Sequence, residues 1–102
     1  MIHVMATIEV AEGKRNDFLK IVHTLVPKVK GEKGCLEYGP TIDVPTGFKA
    51  QIPVRENVVT MVEKWADFKA LEAHLSAAHM IEYREEVKGV VVSTKLQVLQ
   101  TA

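Results

Sequence analysis

Four segments of the chain alternate apolar and polar residues, the pattern of β-strands that bury one face. These segments are residues 2–10, 35–44, 57–65 and 90–99. Pro40 interrupts the second segment, which favours an edge position or a bulge, because proline cannot donate a ladder hydrogen bond. Both faces of the third segment are partly apolar, which indicates a central strand.

Two further regions place apolar residues every three or four positions, as on the buried side of a helix. The first should form a helix of about sixteen residues, with a kink or an early stop at Pro27, which removes the hydrogen bond to the carbonyl of His23. After the third strand, Asp67 is a plausible N-cap of a short helix. Ser76 is placed to cap a second helical piece, and Gly89 should end it.

The segment between the second and third strands, residues 45–56, contains two prolines and a glycine. It predicts a loop that is long for a simple hairpin. Its apolar Phe48 and Ile52 should rest on another part of the protein, since nothing local explains their exposure.

The order strand, helix, strand, strand, helix, strand predicts a single α+β domain over residues 1–102. Its architecture should be a ferredoxin-like sandwich (βαββαβ) with the helices on one face of an antiparallel sheet. The other face of the sheet should carry several apolar residues: Met5, Val59, Met61, Val91 and Leu99. A second copy is the simplest cover for that open face, so the pattern predicts a homodimer through it.

Composition excludes several classes of protein. With 47% hydrophobic and 25% charged residues, the chain has the profile of a soluble globular domain. Thirteen Lys and Arg balance thirteen Asp and Glu, so no basic surplus favours nucleic acid or an anionic membrane. No apolar stretch approaches the length a bilayer requires, and the N-terminus lacks the pattern of a signal peptide. With Cys35 as a lone thiol, these features favour a cytoplasmic protein.

Two histidines are the candidate catalytic residues, because imidazole exchanges protons near neutral pH. His74 and His79 are five residues apart, the wrong spacing for two metal ligands on one straight helix, although a break at Ser76 could bring them together. His79 shares a helix face with Glu82 and Glu86, which leaves a metal site as an alternative. We expect no metal, and each histidine has a purely structural alternative.

Four other residues are candidates for binding a ligand. Trp65, the only tryptophan, either anchors the core or forms a pocket wall with its indole N–H aimed at a ligand. Tyr38 and Tyr83 have the same two interpretations. Glu63 lies on the same side of its strand as Trp65, as an ion-pair partner or as a polar group at the pocket mouth. Cys35 is expected to be an inert thiol, since no base lies near it in sequence.

The segments GCLEYGPTIDV and VVTMVEKWADFKALEAHLSAAHM resemble the antibiotic biosynthesis monooxygenase (ABM) domain, and within it the small quinol monooxygenases. The resemblance covers about residues 2–99. It implies a dimeric α+β barrel formed by the sheets of two ferredoxin-like subunits, with a pocket between each sheet and its helices. Some relatives oxygenate quinols or polycyclic phenols with O2 alone. Others degrade haem with an asparagine on the first strand, where this chain has Met5, Ala6 and Thr7, so haem degradation is not expected.

The resemblance therefore predicts a cofactor-independent monooxygenase that oxidises a quinol or phenolic aromatic with O2. Such a protein must keep its substrate dry and remove one proton, because the deprotonated ring is the electron donor. His74 or His79 is the expected base, Trp65 a wall and donor, and Tyr83 a hydrogen-bond partner. Two alternatives remain: a non-catalytic homodimer that binds a small aromatic, and a metal-dependent enzyme that uses His79 and Glu82.

Overall fold

The computed structural model describes all 102 residues, in one four-stranded antiparallel sheet and three helices. The strands are β1 (Ile2–Val10), β2 (Cys35–Thr41), β3 (Val58–Trp65) and β4 (Val91–Leu99). The helices are α1 (Arg15–Lys30), α2 (Phe68–Leu75) and α3 (Ala78–Glu86). Across the sheet the order is β2-β3-β1-β4, so the ferredoxin-like prediction is confirmed, with β2 at an edge and β3 inside. None of the three helices has the length and apolar character to cross a bilayer.

The sheet buries one of its faces beneath the helices. On the central strands the buried row consists of the neighbouring pairs Val4–Glu63, Ala6–Met61 and Ile8–Val59. The prediction that Val59 and Met61 lie on the open face is therefore wrong. Two consecutive valines, Val58 and Val59, open β3, and the pattern alone did not decide which of them faces the helices.

The last strand departs from simple alternation at its start. The pairing of β1 with β4 shifts between Glu9 and Val10, so that Val91 pairs with Val10 on the helix side. Val92 is left exposed at this irregularity. Val91 is thus also misplaced by the prediction, and of the five apolar residues expected on the open face only Met5 and Leu99 remain there.

Helix α1 packs on the sheet through one apolar stripe. The stripe consists of four buried residues at helical spacing: Phe18, Val22, Leu25 and Val29. The helix does not stop at Pro27 but continues to Lys30. Pro27 and His23 are both exposed, so water can satisfy the carbonyl that lacks its helical partner.

The second helical region is divided as expected, but by different residues. Asp67 caps α2, and its Oδ1 accepts a hydrogen bond from the backbone N–H of Ala70 at 2.8 Å. Ser76 is the C-cap of α2 and not the N-cap of α3, which follows the extended residue Ala77. Helix α3 ends at Glu86, before Gly89 is reached.

The loop of residues 42–57 is an arm with its own hydrogen bonds. At its base the Arg55 guanidinium donates to both carboxylate oxygens of Asp43, at 2.8 and 3.0 Å. Phe48 and Ile52 are 73% and 57% exposed, so the prediction that they rest on another part of the protein is wrong within one copy of the chain.

One glycine allows the turn after α1 to pack closely against α2. Gly34 has a φ of +83°, and a Cβ at this position would lie 2.6 Å from the Cβ of Ala70. Its carbonyl accepts a hydrogen bond of 2.8 Å from the N–H of Ala66. Only glycine fits both the positive φ and the close approach.

Gly34→Ala should destabilise the fold through these two effects, and Gly13→Ala is the matched control. Gly13 has a similar φ of +76° with no atom near its missing Cβ. Gly13→Ala should cost about 1–2 kcal/mol of backbone strain, and Gly34→Ala about 1–3 kcal/mol more from overpacking. Urea unfolding of the two variants measures the difference, and equal losses would contradict the importance of the close approach.

Candidate functional site

A cavity of about 480 Å³ lies between the inner face of the sheet and the helices α2 and α3. This volume is in the range that small organic ligands occupy, about 300–1,000 Å³. Most of its wall is apolar, with side chains such as Ala6, Met61, Leu71 and Val87. The polar and charged groups on the wall are Tyr38, Glu63, His74, Tyr83, Arg84, Lys88 and Thr94.

Glu63 is a buried carboxyl group in the sheet side of the cavity. It is 5% exposed and pairs across the sheet with Tyr38 on one side and Val4 on the other. The indole N–H of Trp65 donates to its Oε1 at 2.9 Å. Burial raises the pKa of Glu63 from 4.5 to about 7, although the hydrogen bond from Trp65 acts in the opposite direction. The group can therefore gain or lose a proton near neutral pH.

His74 faces the cavity from the end of α2. It is 2% exposed, and its ring lies on that of Trp65, with the centroids 4.6 Å apart. The ring of Tyr38 meets it edge-on, at a centroid distance of 5.6 Å. Burial lowers the pKa of His74, while its contact with Glu32 opposes this change, and the net direction is downward. The imidazole is thus held in its neutral form at neutral pH.

Behind His74, one carboxylate oxygen joins two histidines. Oε2 of Glu32 lies 2.9 Å from Nδ1 of His74 and 2.7 Å from Nε2 of His79. Glu32 belongs to the turn between α1 and β2, His74 to α2 and His79 to α3. Because Nδ1 of His74 is engaged by Glu32, its Nε2 is the ring nitrogen left for a ligand in the cavity.

The structure brings four of the six predicted site residues to the cavity wall. They are His74, Glu63, Tyr38 and Tyr83. Trp65 is completely buried and does not line the cavity, since its N–H is aimed at Glu63 and its ring supports His74. His79 does not line the cavity either, and its contact is with Glu32.

The two tyrosines differ in their surroundings. Burial is the main cause that raises the pKa of Tyr38, and it raises the pKa of Tyr83 to about 12. Tyr83 also packs edge-on against Phe18, at a ring distance of 6.3 Å. Both phenols therefore keep their protons near neutral pH and can donate a hydrogen bond.

Sequence reasoning missed Glu32. The residue lies in a polar run, Gly31 to Gly34, that has the composition of an ordinary turn. Its partners are 42 and 47 residues further along the chain, so local spacing carries no signal for this contact.

The same three residues form a group of donor atoms within 4.8 Å of one another, the composition that a metal ion could use. In this arrangement the donor atoms are hydrogen-bonded to one another. Glu82, which sequence reasoning paired with His79 for a metal, is exposed on α3 and outside the group. Any metal hypothesis therefore rests on Glu32 and not on Glu82 or Glu86.

Residues 1–86 match the family described as antibiotic biosynthesis monooxygenase, and the chain belongs to this family. It is 36% identical to a protein of Escherichia coli (strain K12) named "Probable quinol monooxygenase YgiN", over 98% of this chain and 97% of that protein.

Solved structures share the fold. That of PA3566 from Pseudomonas aeruginosa has a TM-score of 0.80 at 24% identity and covers 99% of this chain and 93% of that one. A conserved protein from Methanosarcina mazei has a TM-score of 0.82 at 22% identity, with 99% and 92% covered.

The raised pKa of Glu63 predicts a stability that falls as pH rises. The folded protein keeps this proton up to about pH 7, whereas the unfolded chain releases it near its ordinary pKa of 4.5. The folded state therefore keeps the Glu63 proton between these values, and the contribution of Glu63 to the free energy of unfolding falls across that window by up to about 3 kcal/mol. Glu63→Gln cannot ionise and should lose this dependence.

The measurement is the melting temperature of Glu63→Gln and of the unchanged protein, from about pH 5 to about pH 8. The variant should gain relative to the unchanged protein as pH rises. Glu72→Gln, at an exposed position on α2, is the matched control and should show no such gain. A constant difference between Glu63→Gln and the unchanged protein at every pH would refute the raised pKa.

Proposed function

We propose that this protein is a monooxygenase that oxidises a quinol or a related phenolic ring with O2, without a metal ion or a flavin. The carrying observation is a largely apolar cavity with two groups on its wall, His74 and Glu63, suited to take a proton near neutral pH. Membership of the ABM family and the 36% identity to a protein named as a quinol monooxygenase support the reaction class and the substrate.

The substrate supplies all the electrons in this reaction. The base takes a hydroxyl proton from the quinol. The ring carbon adjacent to the carbon that bears the deprotonated oxygen then forms a bond with O2. The peroxide anion takes up the proton to become a hydroperoxide. Loss of the ring C–H proton with cleavage of the O–O bond then releases water. One quinol and one O2 give one hydroxyquinone and one water, and the substrate loses four electrons.

His74 is the proposed base. Nδ1 of its neutral ring contacts Glu32, which leaves Nε2 for a ligand in the cavity that His74 lines, and the rings of Trp65 and Tyr38 fix its orientation. Tyr38 and Tyr83 keep their own protons and can donate hydrogen bonds to the quinolate or the peroxide. Glu63 is the second group able to hold a proton, with the indole of Trp65 orienting its carboxyl.

The first test is oxygen uptake by EDTA-treated protein with 1,4-naphthohydroquinone and hydroquinone, after subtraction of each compound's autoxidation. Saturable uptake is expected, and labelling with ¹⁸O2 should place one oxygen atom of each O2 in the hydroxyquinone and the other in water. Uptake that disappears on EDTA treatment and returns with a metal ion would replace this proposal with a metal-dependent enzyme. No uptake, with Trp65 fluorescence still quenched by the quinols, would identify a protein that binds small aromatics.

His74→Asn should lower kcat by about 100-fold or more, in keeping with the loss of a general base, while KM changes little. Asparagine keeps a polar side chain of smaller size at this buried position. His23→Asn is the matched control, because His23 is exposed on α1 and away from the cavity. Full turnover by a folded His74→Asn protein would remove His74 from the mechanism.

We also propose a cytoplasmic homodimer that associates through the open face of the sheet. Met5 and Val62 are neighbours across β1 and β3 on this face. Leu99 of β4 lies beside His3 on the same face, so the face carries apolar side chains among polar ones. The lone half-buried thiol of Cys35 fits a reducing compartment.

Light scattering should give a mass of twice the 11.4 kDa of one chain. The double variant Met5→Lys and Val62→Lys should dissociate the dimer, because it places two charges in the contact. Ile81→Lys, on the exposed side of α3, is the control and should leave the mass unchanged. The mass of a single chain for the unchanged protein would exclude the dimer.

A further inference from the structure

We infer that Glu32 is the positioning residue of the site, which fixes the tautomer of His74 so that Nε2, the ring nitrogen not held by Glu32, is the basic one. The inference rests on the proposed role of His74 as the base. It concerns a residue outside the cavity wall, since Glu32 acts through the histidine and does not touch a ligand in the cavity.

The hydrogen-bond chemistry of the contact determines the tautomer. An ionised carboxylate can only accept, so Nδ1 of His74, 2.9 Å from Oε2 of Glu32, must carry the hydrogen. The other nitrogen, Nε2, then has the free lone pair. In the opposite tautomer the lone pair of Nδ1 would face the carboxylate, and Nε2–H could donate to a ligand but could not remove its proton.

The carboxylate is itself held in place. Nε2 of His79 lies 2.7 Å from the same oxygen. Both side chains are largely shielded from water, with 23% of His79 and 13% of Glu32 exposed. The two histidines approach from different helices, so Oε2 is fixed between α2 and α3. His79 therefore contributes by restricting Glu32, which gives a role to the second histidine without contact to the substrate.

The ring of His74 cannot escape this constraint by turning over. It lies between the indole of Trp65 and the edge of Tyr38, and it is 2% exposed. A rotation of the ring by 180° about its Cβ–Cγ bond would place Cδ2 instead of Nδ1 beside Glu32, and the hydrogen bond would be lost. The tautomer is therefore decided by the acceptor that faces Nδ1.

The charged and titratable groups that face His74 come from each neighbouring element. Burial lowers the pKa of His74 most, Glu32 raises it, His79 and Arg84 of α3 lower it further, and Tyr38 of β2 contacts the ring. Replacing Glu32 by glutamine removes the influence that favours the protonated imidazole. The acidic limb of the kcat/KM profile, where His74 becomes protonated and inactive as a base, should then move to lower pH.

Glu32→Gln is the informative variant, because an amide can either accept from Nδ1–H or donate to a bare Nδ1. We expect kcat to fall by about 10- to 100-fold with KM nearly unchanged, since part of the general-base contribution is lost. The acidic limb of the kcat/KM profile should move to lower pH. Glu72→Gln is the control of equal charge change and should alter neither quantity.

Two-bond ¹H–¹⁵N correlation spectra of the histidine side chains test the inference without any turnover. At a pH where the rings are neutral, His74 should be the Nδ1–H tautomer in the unchanged protein. Glu32→Gln should add a population of Nε2–H, and His79→Gln should do so to a smaller extent. If the protein proves to have no oxygenase activity, these spectra still decide the role of Glu32.

Two results would overturn the inference. One is an Nε2–H tautomer of His74 in the unchanged protein. The other is a folded Glu32→Gln protein with the same tautomer, the same kcat and the same acidic limb. The second result overturns the inference even if Glu32→Gln lowers the melting temperature, because Glu32 would then have a structural role only.

Discussion

The candidate site depends on one carboxylate oxygen that holds two imidazoles from separate helices. Oε2 of Glu32 connects the turn after α1 to His74 of α2 and His79 of α3. These two short helices form one wall of the cavity, opposite the sheet. Because an unpaired polar group in this position would cost free energy, the contact fixes both helices relative to the turn as well as the histidine ring.

The packing beneath this contact explains why the carboxylate reaches the histidines. Gly34, two residues after Glu32, lets the turn lie against Ala70 of α2 without a Cβ between them. Trp65, at the end of β3, fills the space behind His74 and donates its N–H to Glu63. One indole therefore supports the imidazole with its face and orients the buried carboxyl with its nitrogen. The two proton-accepting groups of the cavity share this support.

Burial shifts the pKa values of Glu63 and His74 in opposite directions. Removing water disfavours the charged form of each, so the pKa of Glu63 rises to about 7 while that of His74 falls. At neutral pH the His74 imidazole is thus uncharged and the Glu63 carboxyl partly protonated, so this part of the cavity can accept a neutral quinol, whereas Arg84 and Lys88 place positive charge elsewhere on the wall. It can still take a proton when the ring is deprotonated, which is what an oxygenation driven by the substrate's own electrons requires.

Periodicity predicted most of the fold, because β1, α1 and β3 each bury one regular row of side chains. It failed where regularity is broken. The irregular pairing next to Val10 places Val91 on the helix side. At the start of β3, two consecutive valines left it undecided which face of that strand meets the helices. Four site residues on the cavity wall were predicted, since His74, Glu63, Tyr38 and Tyr83 carry recognisable chemistry. Glu32 was not, because its contacts span 42 and 47 residues and its local sequence is that of a turn.

The ionisation of a phenolic ligand inside the cavity tests most directly whether His74 removes a proton from the substrate. Anaerobic titration of the protein with 1-naphthol, followed by the absorbance of the naphtholate, reports whether the bound ring gives up its proton. We expect a pKa for bound naphthol well below its value in water, and a return toward that value in His74→Asn. Bound naphthol that stays neutral over the same pH range as free naphthol would contradict it.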